Sequence, residues 1–331
     1  MYEFRRNDYD VTNSIQVSST VAVKEAVREL FAVGWPGESF DRVAVAFEVF
    51  ERLFSGRMPG YHGVDTIYHD RQHSLDMTLA MARLSVGYEG SVDAPLRIGA
   101  ERAVMALVTS LFHDAGYIRE IGDRQYRNGA EFTLYHVTRS ARFLARFLPT
   151  IGLEAWVPVA THIVHFTGYE IKLSQIQLSD GRDRKLGHLL GTADLIAQMA
   201  DRCYLEKCRD RLYPEFVLGG IAAALGSDGI MQVRYSSGLD LLRQTPRFVS
   251  ETRAERLEGE FEHAYRYVEP LFGGKNPYLE AIDRNLVYLH RILRAERWRL
   301  LRRNPPLFTS EDNQLGAVRG LMLNRLKTIW A

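Results

Sequence analysis

The sequence predicts an all-α fold, and three observations carry that prediction. Apolar residues recur three and four apart along most of the chain, as the buried face of a helix requires. Strand-like alternation is confined to residues 230–235. Glycine and proline breaks at Pro36-Gly37, residues 56–63, Gly273-Gly274 and Pro305-Pro306 divide the periodic stretches into helix-length pieces.

Ser18-Ser19-Thr20 is an entry cap, after which Val21, Val23, Ala26, Val27, Leu30 and Phe31 form one helical face. A second set (Val43, Val45, Phe47, Val49, Phe50, Leu53 and Phe54) gives a second helix. The next helix holds Tyr68-His69-Asp70-Arg71-Gln72-His73-Ser74-Leu75-Asp76. His69, His73 and Asp76, four and three apart, project from one of its faces. A helix over residues 97–114 ends on His113-Asp114, and residues 115–129, rich in Gly, Arg and Asp, form a loop. Glu131 and His136 sit at the start of a helix that runs to Pro149; a short helix over 156–167 carries His162 and His165; an apolar helix over 186–199 carries Asp194.

Composition sets the class. Of 331 residues 46% are hydrophobic and 25% charged, the proportions of a soluble globular protein with ample chain to bury a core. The 42 basic and 41 acidic residues leave a net charge of +1, so nucleic acid is not expected as the main partner. No apolar run approaches the roughly 20 residues of a membrane span, and the polar residues 1–8 lack the apolar stretch of a signal peptide. Cys203 and Cys208, five apart, turn to different faces of a helix. A disulfide between them is not expected, and a reducing compartment, the cytoplasm, is.

The residues with chemical potential concentrate in the middle of the chain. His113 and Asp114 present one nitrogen and one oxygen donor at nearly the same point, which suits a divalent cation needing mixed ligands; a plain imidazole-to-carboxylate hydrogen bond is the competing reading. His69 and His73 read either as metal ligands or a ligand-plus-acid pair, or as a solvated polar face. Asp194, set among Leu189, Leu190, Leu195 and Ile196, is costly to bury unless paired or bound to a cation. Glu131 is expected to orient a ligand imidazole or a water, and His165 to be a core or surface histidine. Nitrogen and oxygen donors without thiolate disfavour a structural zinc site and suit Mn, Fe, Mg, Co or catalytic Zn.

Taken together, the ordered set His73, His113-Asp114, Asp194 resembles the His…His-Asp…Asp pattern of the HD superfamily of metal-dependent phosphohydrolases, over roughly residues 60–250. More narrowly, Tyr68-His69-Asp70-x-x-His73-x-x-Asp76 is similar to the Tyr-His-Asn-x-x-His-x-x-Asp signature of class I cyclic nucleotide phosphodiesterases, with Asp70 in place of asparagine. Thr192-Ala193-Asp194-Leu195, followed by Arg211-Leu212-Tyr213-Pro214-Glu215-Phe216, is similar to that family's second metal segment. The family's His-Asp-x-x-His becomes His113-Asp114-Ala115-Gly116-Tyr117, so Tyr117 stands where its third histidine would be. No Gly-Tyr-Pro element follows His162 and His165, which argues against the HD-GYP type.

The resemblance implies an HD-domain helical bundle with two divalent metal ions and a hydroxide bridging them. His73, His113, Asp114 and Asp194 would hold the first ion, and Asp114, His136 and His162 the second. His69 would be the acid that protonates the departing ribose oxygen. Gln244 and Phe248 would grip a purine, although Pro246 intervenes and the spacing differs from the family's.

The rest of the chain reads more plainly. Residues 201–216 form an amphipathic helix with a solvated charged face. Residues 284–303 interleave seven arginines with Leu286, Leu289, Ile292 and Leu293. Packing of that apolar side on the domain or on a second subunit is preferred to an anionic partner, which leaves a homodimer open. Thr309-Ser310-Glu311-Asp312 caps a last amphipathic helix. The expected organisation is an N-terminal helical segment (1–60), an HD/phosphodiesterase-like catalytic core (61–250) and C-terminal helices packed on the core (251–331). The expected function is metal-dependent hydrolysis of a cyclic mononucleotide, with a small nucleotide substrate and neither nucleic acid nor membrane as partner. A nucleotide phosphomonoesterase on the same site, or a non-catalytic nucleotide-binding HD module, are the alternatives.

Overall fold

Two helices buried on nearly every side, α3 (Arg71–Ser91) and α7 (Gly181–Ala200), organise the computed structural model, which describes residues 5–225, 230–311 and 313–330. Residues 1–4, read above as part of a polar N-terminus, and Asp312 of the expected last cap lie outside the described residues. In α3 every residue from Gln72 to Tyr88 is buried, so it carries no solvated stripe. It lies against α7, α1 (Thr20–Gly34), α4 (Gly99–Leu111) and a 3-10 segment, Ala264–Phe272. The last contact is close because position 87 is glycine: a Cβ there would come 1.6 Å from the Tyr267 carbonyl oxygen. One hydrophobic cluster runs without a break from Val11 to Leu301.

The fold is all-α. The one sheet among the described residues is a two-stranded antiparallel hairpin of β1 (Ala223–Leu225) and β2 (Met231–Val233), the latter inside the stretch where alternation was expected. Side-chain caps start the main helices where the sequence places acceptors. Ser19 accepts from Ala22 N (3.3 Å) at α1, Asp70 from His73 N (3.2 Å) at α3, and Asp180 from Arg182 N (2.8 Å) at α7. No helix of the described residues is long and apolar enough to cross a membrane. Cys203 and Cys208 are buried and unpaired.

Four expectations about elements need correction. The helix bearing His73 starts at Arg71, because Asp70 spends its side chain as the cap; His69 therefore precedes the helix and does not share a face with His73 and Asp76. Helix α4 ends at Leu111, just short of His113 and Asp114. Glu131 belongs to a separate 3-10 turn, Gly129–Phe132, and α5 (His136–Phe147) begins at His136 itself. Residues 201–216 are not one solvated helix: α8 (Tyr204–Lys207), a π turn (Cys208–Leu212) and α9 (Tyr213–Leu218) bury Glu206, Lys207, Arg211 and Glu215. Lys207 and Arg211 find buried partners. Lys207 Nζ donates to Asp201 (2.5 Å) and Gln72 (3.1 Å), and Arg211 donates to the Pro305 and Pro306 carbonyls.

Past α10 (Gly238–Glu251), a π segment (Thr252–Glu260) leads to the 3-10 segment and to α11 (Pro277–Ala295). Helix α11 packs on α7 through Ile282, Leu289 and Ile292 and leaves Arg284, Arg291 and Arg294 in solvent, as its pattern requires. The chain then crosses back over the start of α3, where the Phe308 carbonyl accepts from Arg71 N (3.3 Å) and Ser310 N donates to Val64 O (2.8 Å). It ends in α12 (Gln314–Trp330), packed on α9.

Candidate metal centre

The turn after α4 places His113 and Asp114 between α3 and α7. His113 Nδ1 donates to the Ser110 carbonyl (2.8 Å), so its Nε2 carries a lone pair. That nitrogen lies 3.3 Å from His73 Nε2, 3.3 Å from Asp114 Oδ2 and 3.8 Å from Asp194 Oδ1. His73 Nε2 is 3.4 Å from Asp114 Oδ2 and 3.2 Å from Asp194 Oδ1. Two nitrogens and an Asp114 oxygen thus cluster between α3 and the end of α4, with an Asp194 oxygen from α7 beside both nitrogens.

This donor set fits a cation. The donor atoms of His73, His113 and Asp114 all lie within 4.8 Å of one another, and these residues could hold a metal ion. Asp114 Oδ2 is buried with no hydrogen-bond partner, an expensive state for a carboxylate oxygen. Without a cation, burial works against a charge on His113, yet Asp114 and Asp194 push its pKa up to about 9. Burial likewise raises the Asp114 carboxyl, and the His113, His69 and His73 rings outweigh it and hold the group far below the usual carboxylate range. A divalent ion, which accepts mixed nitrogen and oxygen ligands, would supply positive charge between these carboxylates.

The far oxygen of Asp114 opens a second half. Asp114 Oδ1 lies 3.8 Å from Nε2 of His136, the first residue of α5. His136 Nδ1 donates to the Thr133 carbonyl (2.8 Å), which again leaves Nε2 bare, and burial with the neighbouring His69 lowers its pKa and keeps it neutral. Gly116 permits this approach, since a Cβ there would come 1.8 Å from the His136 carbonyl oxygen. Glu170 caps α5 by accepting from Val137 N (2.7 Å) and Thr138 N (2.9 Å).

His162 is not brought to this second half. It is exposed, its Nδ1 donates to the Pro158 carbonyl of its own helix (2.5 Å), and it does not line the cavity described below. Glu131 is not brought there either. It accepts from Arg127 N (2.6 Å) and Asn128 N (3.0 Å), closing a capping box with Asn128, and does not orient any ligand imidazole.

Glu215, which the sequence left without a role, holds His69. Its Oε2 lies 2.6 Å from His69 Nδ1, and its Oε1 accepts from Ile67 N and Tyr68 N, both at 2.6 Å. Glu215 is wholly buried, and although burial disfavours a charged His69, this carboxylate outweighs it and raises the His69 pKa. The ring is thus held through Nδ1 at the wall of the cavity, with Glu215 favouring its charged form.

That cavity, of about 930 Å³, has His69, His73, Asp114, His136 and Asp194 among its lining residues. Leu212, Phe216, Tyr235 and Leu241 give it an apolar wall, on which Gln244 and Phe248 also lie. Gln244 Nε2 donates to the Arg234 carbonyl (3.0 Å), which fixes the amide and leaves its oxygen as an acceptor. No protein-family model, curated protein or solved structure matches the chain.

Proposed function

We propose that the chain is a metal-dependent phosphodiesterase that hydrolyses a cyclic mononucleotide. The observation that carries this reading is the pairing, in one cavity, of a group that could hold a cation, His73, His113 and Asp114 with Asp194 beside them, and a separately held imidazole, His69 on Glu215. Divalent cations bound there supply Lewis acidity to a phosphoryl group and make water nucleophilic near neutral pH.

The residues divide the remaining work. His73, His113, Asp114 and Asp194 would hold one cation, and Asp114 with His136 would hold a second. With His162 absent, the second half offers two protein donors, which suits a hard ion such as Mg or Mn that keeps several waters. His69 gives its proton to the ribose oxygen as the bond from phosphorus to that oxygen breaks, and Glu215 stabilises the charged ring beforehand. The apolar wall takes the base, with the Gln244 amide oxygen and the Phe248 ring at its edge.

His69→Ala tests this reading. The variant is expected to keep the cation content of the parent and to lose cyclic nucleotide cleavage by about 10² to 10⁴-fold. Full activity in that variant, with monoesters the better substrates, transfers the site to phosphomonoester hydrolysis. Bound metal with no turnover of any nucleotide in the parent protein makes it a binding module.

A further inference from the structure

We propose that Tyr117 is a positioning residue whose ring sets the planes of His69 and His136 together, so that the proton donor and the imidazole beside Asp114 keep a fixed spacing. The proposal rests on the phosphodiesterase reading for what His69 does, and on geometry alone for His136. Tyr117 is almost completely buried. Its ring centroid is 4.4 Å from that of His69 with 18° between planes, and 4.3 Å from that of His136 with 20° between planes. The two imidazole centroids are 6.3 Å apart, so the three rings form a triangle with the phenol as the contact common to both.

Each imidazole has one anchoring hydrogen bond, Nδ1 to Glu215 for His69 and Nδ1 to the Thr133 carbonyl for His136. A single hydrogen bond fixes an atom but lets the ring swing about it; a stacked aromatic face restricts that swing and so directs Nε2. The residue is itself tightly placed: Gly129 packs against its backbone so closely that a Cβ there would come 2.1 Å from the Tyr117 carbonyl oxygen. Tyr117 also closes the 3-10 turn Ala115–Tyr117 that begins immediately after Asp114.

The test compares the parent with Tyr117→Leu and Tyr117→Phe. Two readouts are taken: calorimetric titration of metal-stripped protein with Mn²⁺ alone, and cleavage of cyclic AMP against bis(p-nitrophenyl) phosphate, whose leaving group needs no acid. Tyr117→Leu is expected to weaken the second Mn²⁺ step by about tenfold or more, leaving the first step unchanged. It is also expected to slow cyclic AMP cleavage by about 10²-fold and to slow the aryl diester far less. Tyr117→Phe, which keeps the ring, restores most of both losses. A residue that merely fills space lowers the melting temperature and both substrates alike; an unchanged substrate ratio together with an unchanged second Mn²⁺ step overturns the proposal. If Tyr117→Leu does not fold, Tyr117→Met takes its place in the same measurements. If the parent cleaves no diester, the phosphodiesterase reading falls and the Mn²⁺ titrations alone decide the role of Tyr117.

Discussion

The half of the centre around His113 draws its donors from α3, α7 and the end of α4, whereas the half around His136 rests on one helix end at the wall of an open cavity. In the first half His73 Nε2, His113 Nε2 and Asp114 Oδ2 lie 3.3 to 3.4 Å apart, Asp194 Oδ1 lies 3.2 and 3.8 Å from the two nitrogens, and all four residues are buried. In the second, only Asp114 Oδ1 and His136 Nε2 face each other, and Glu170 supports the helix behind them. The contrast teaches that ligand density follows burial. Packed helices hold side chains in place without loops, while a cavity wall leaves positions for water and substrate.

Asp114→Asn should break the comparison most severely, because Asp114 is common to both halves. We expect loss of both cations and a fall in diester cleavage on the order of 10⁴-fold, read by metal analysis and steady-state rates. Retained cation content at parental level would show that Asp114 is not shared. Glu215→Gln should separate the acid from the cations: metal content stays, and cyclic nucleotide turnover falls by about 10 to 100-fold as His69 loses its counter-charge. Metal content and turnover that fall together would place Glu215 with the ligands.

The packed side of His73 has an electrostatic cost that can be measured. Asp76 is buried with Oδ1 unpartnered, and burial first, then Asp201 and Asp10, push its pKa up to about 7 against the pull of Arg5 and Arg83. The folded state therefore retains a proton that the unfolded chain has released above its ordinary carboxylate pKa. Stability should fall as pH rises from about 4 to about 7, at up to about 1.4 kcal/mol per pH unit from this group. Chemical denaturation of Asp76→Asn across that window should show a flatter profile than the parent; an identical profile would mean that Asp76 is ionised when folded. The smallest effect belongs to Glu131→Ala, which should cost about 0.5 to 2 kcal/mol through the lost cap and leave turnover unchanged. A loss of turnover without loss of stability would return Glu131 to the site.

The helical fold was readable because apolar spacing and cap residues are local signals, as at Ser19. The first half of the centre was readable for a related reason: Asp194 in an apolar helix and an adjacent His-Asp pair are anomalies that a plain core does not explain. The rest was hidden in long-range contacts. Glu215 reads as one more charge on an amphipathic helix until Ile67, Tyr68 and His69, some 146 to 148 residues away, are placed around it. His162 misled because a histidine in the right order along the chain says nothing of the face it takes, and its helix turns it to solvent. Glu131 carried a local signal that went unused, since Asn128-x-x-Glu131 is a capping-box pattern. Tyr117 stands out in the sequence where a histidine would complete the family motif, but only the fold shows which rings it touches.

The most direct test of the central claim is the number of cations bound per chain, measured side by side for the parent, His136→Ala and His162→Ala by Mn²⁺ titration of metal-stripped protein. Two are expected for the parent, one for His136→Ala and two for His162→Ala. No bound cation in the parent, or loss of the second cation in His162→Ala but not in His136→Ala, would overturn the two-cation site.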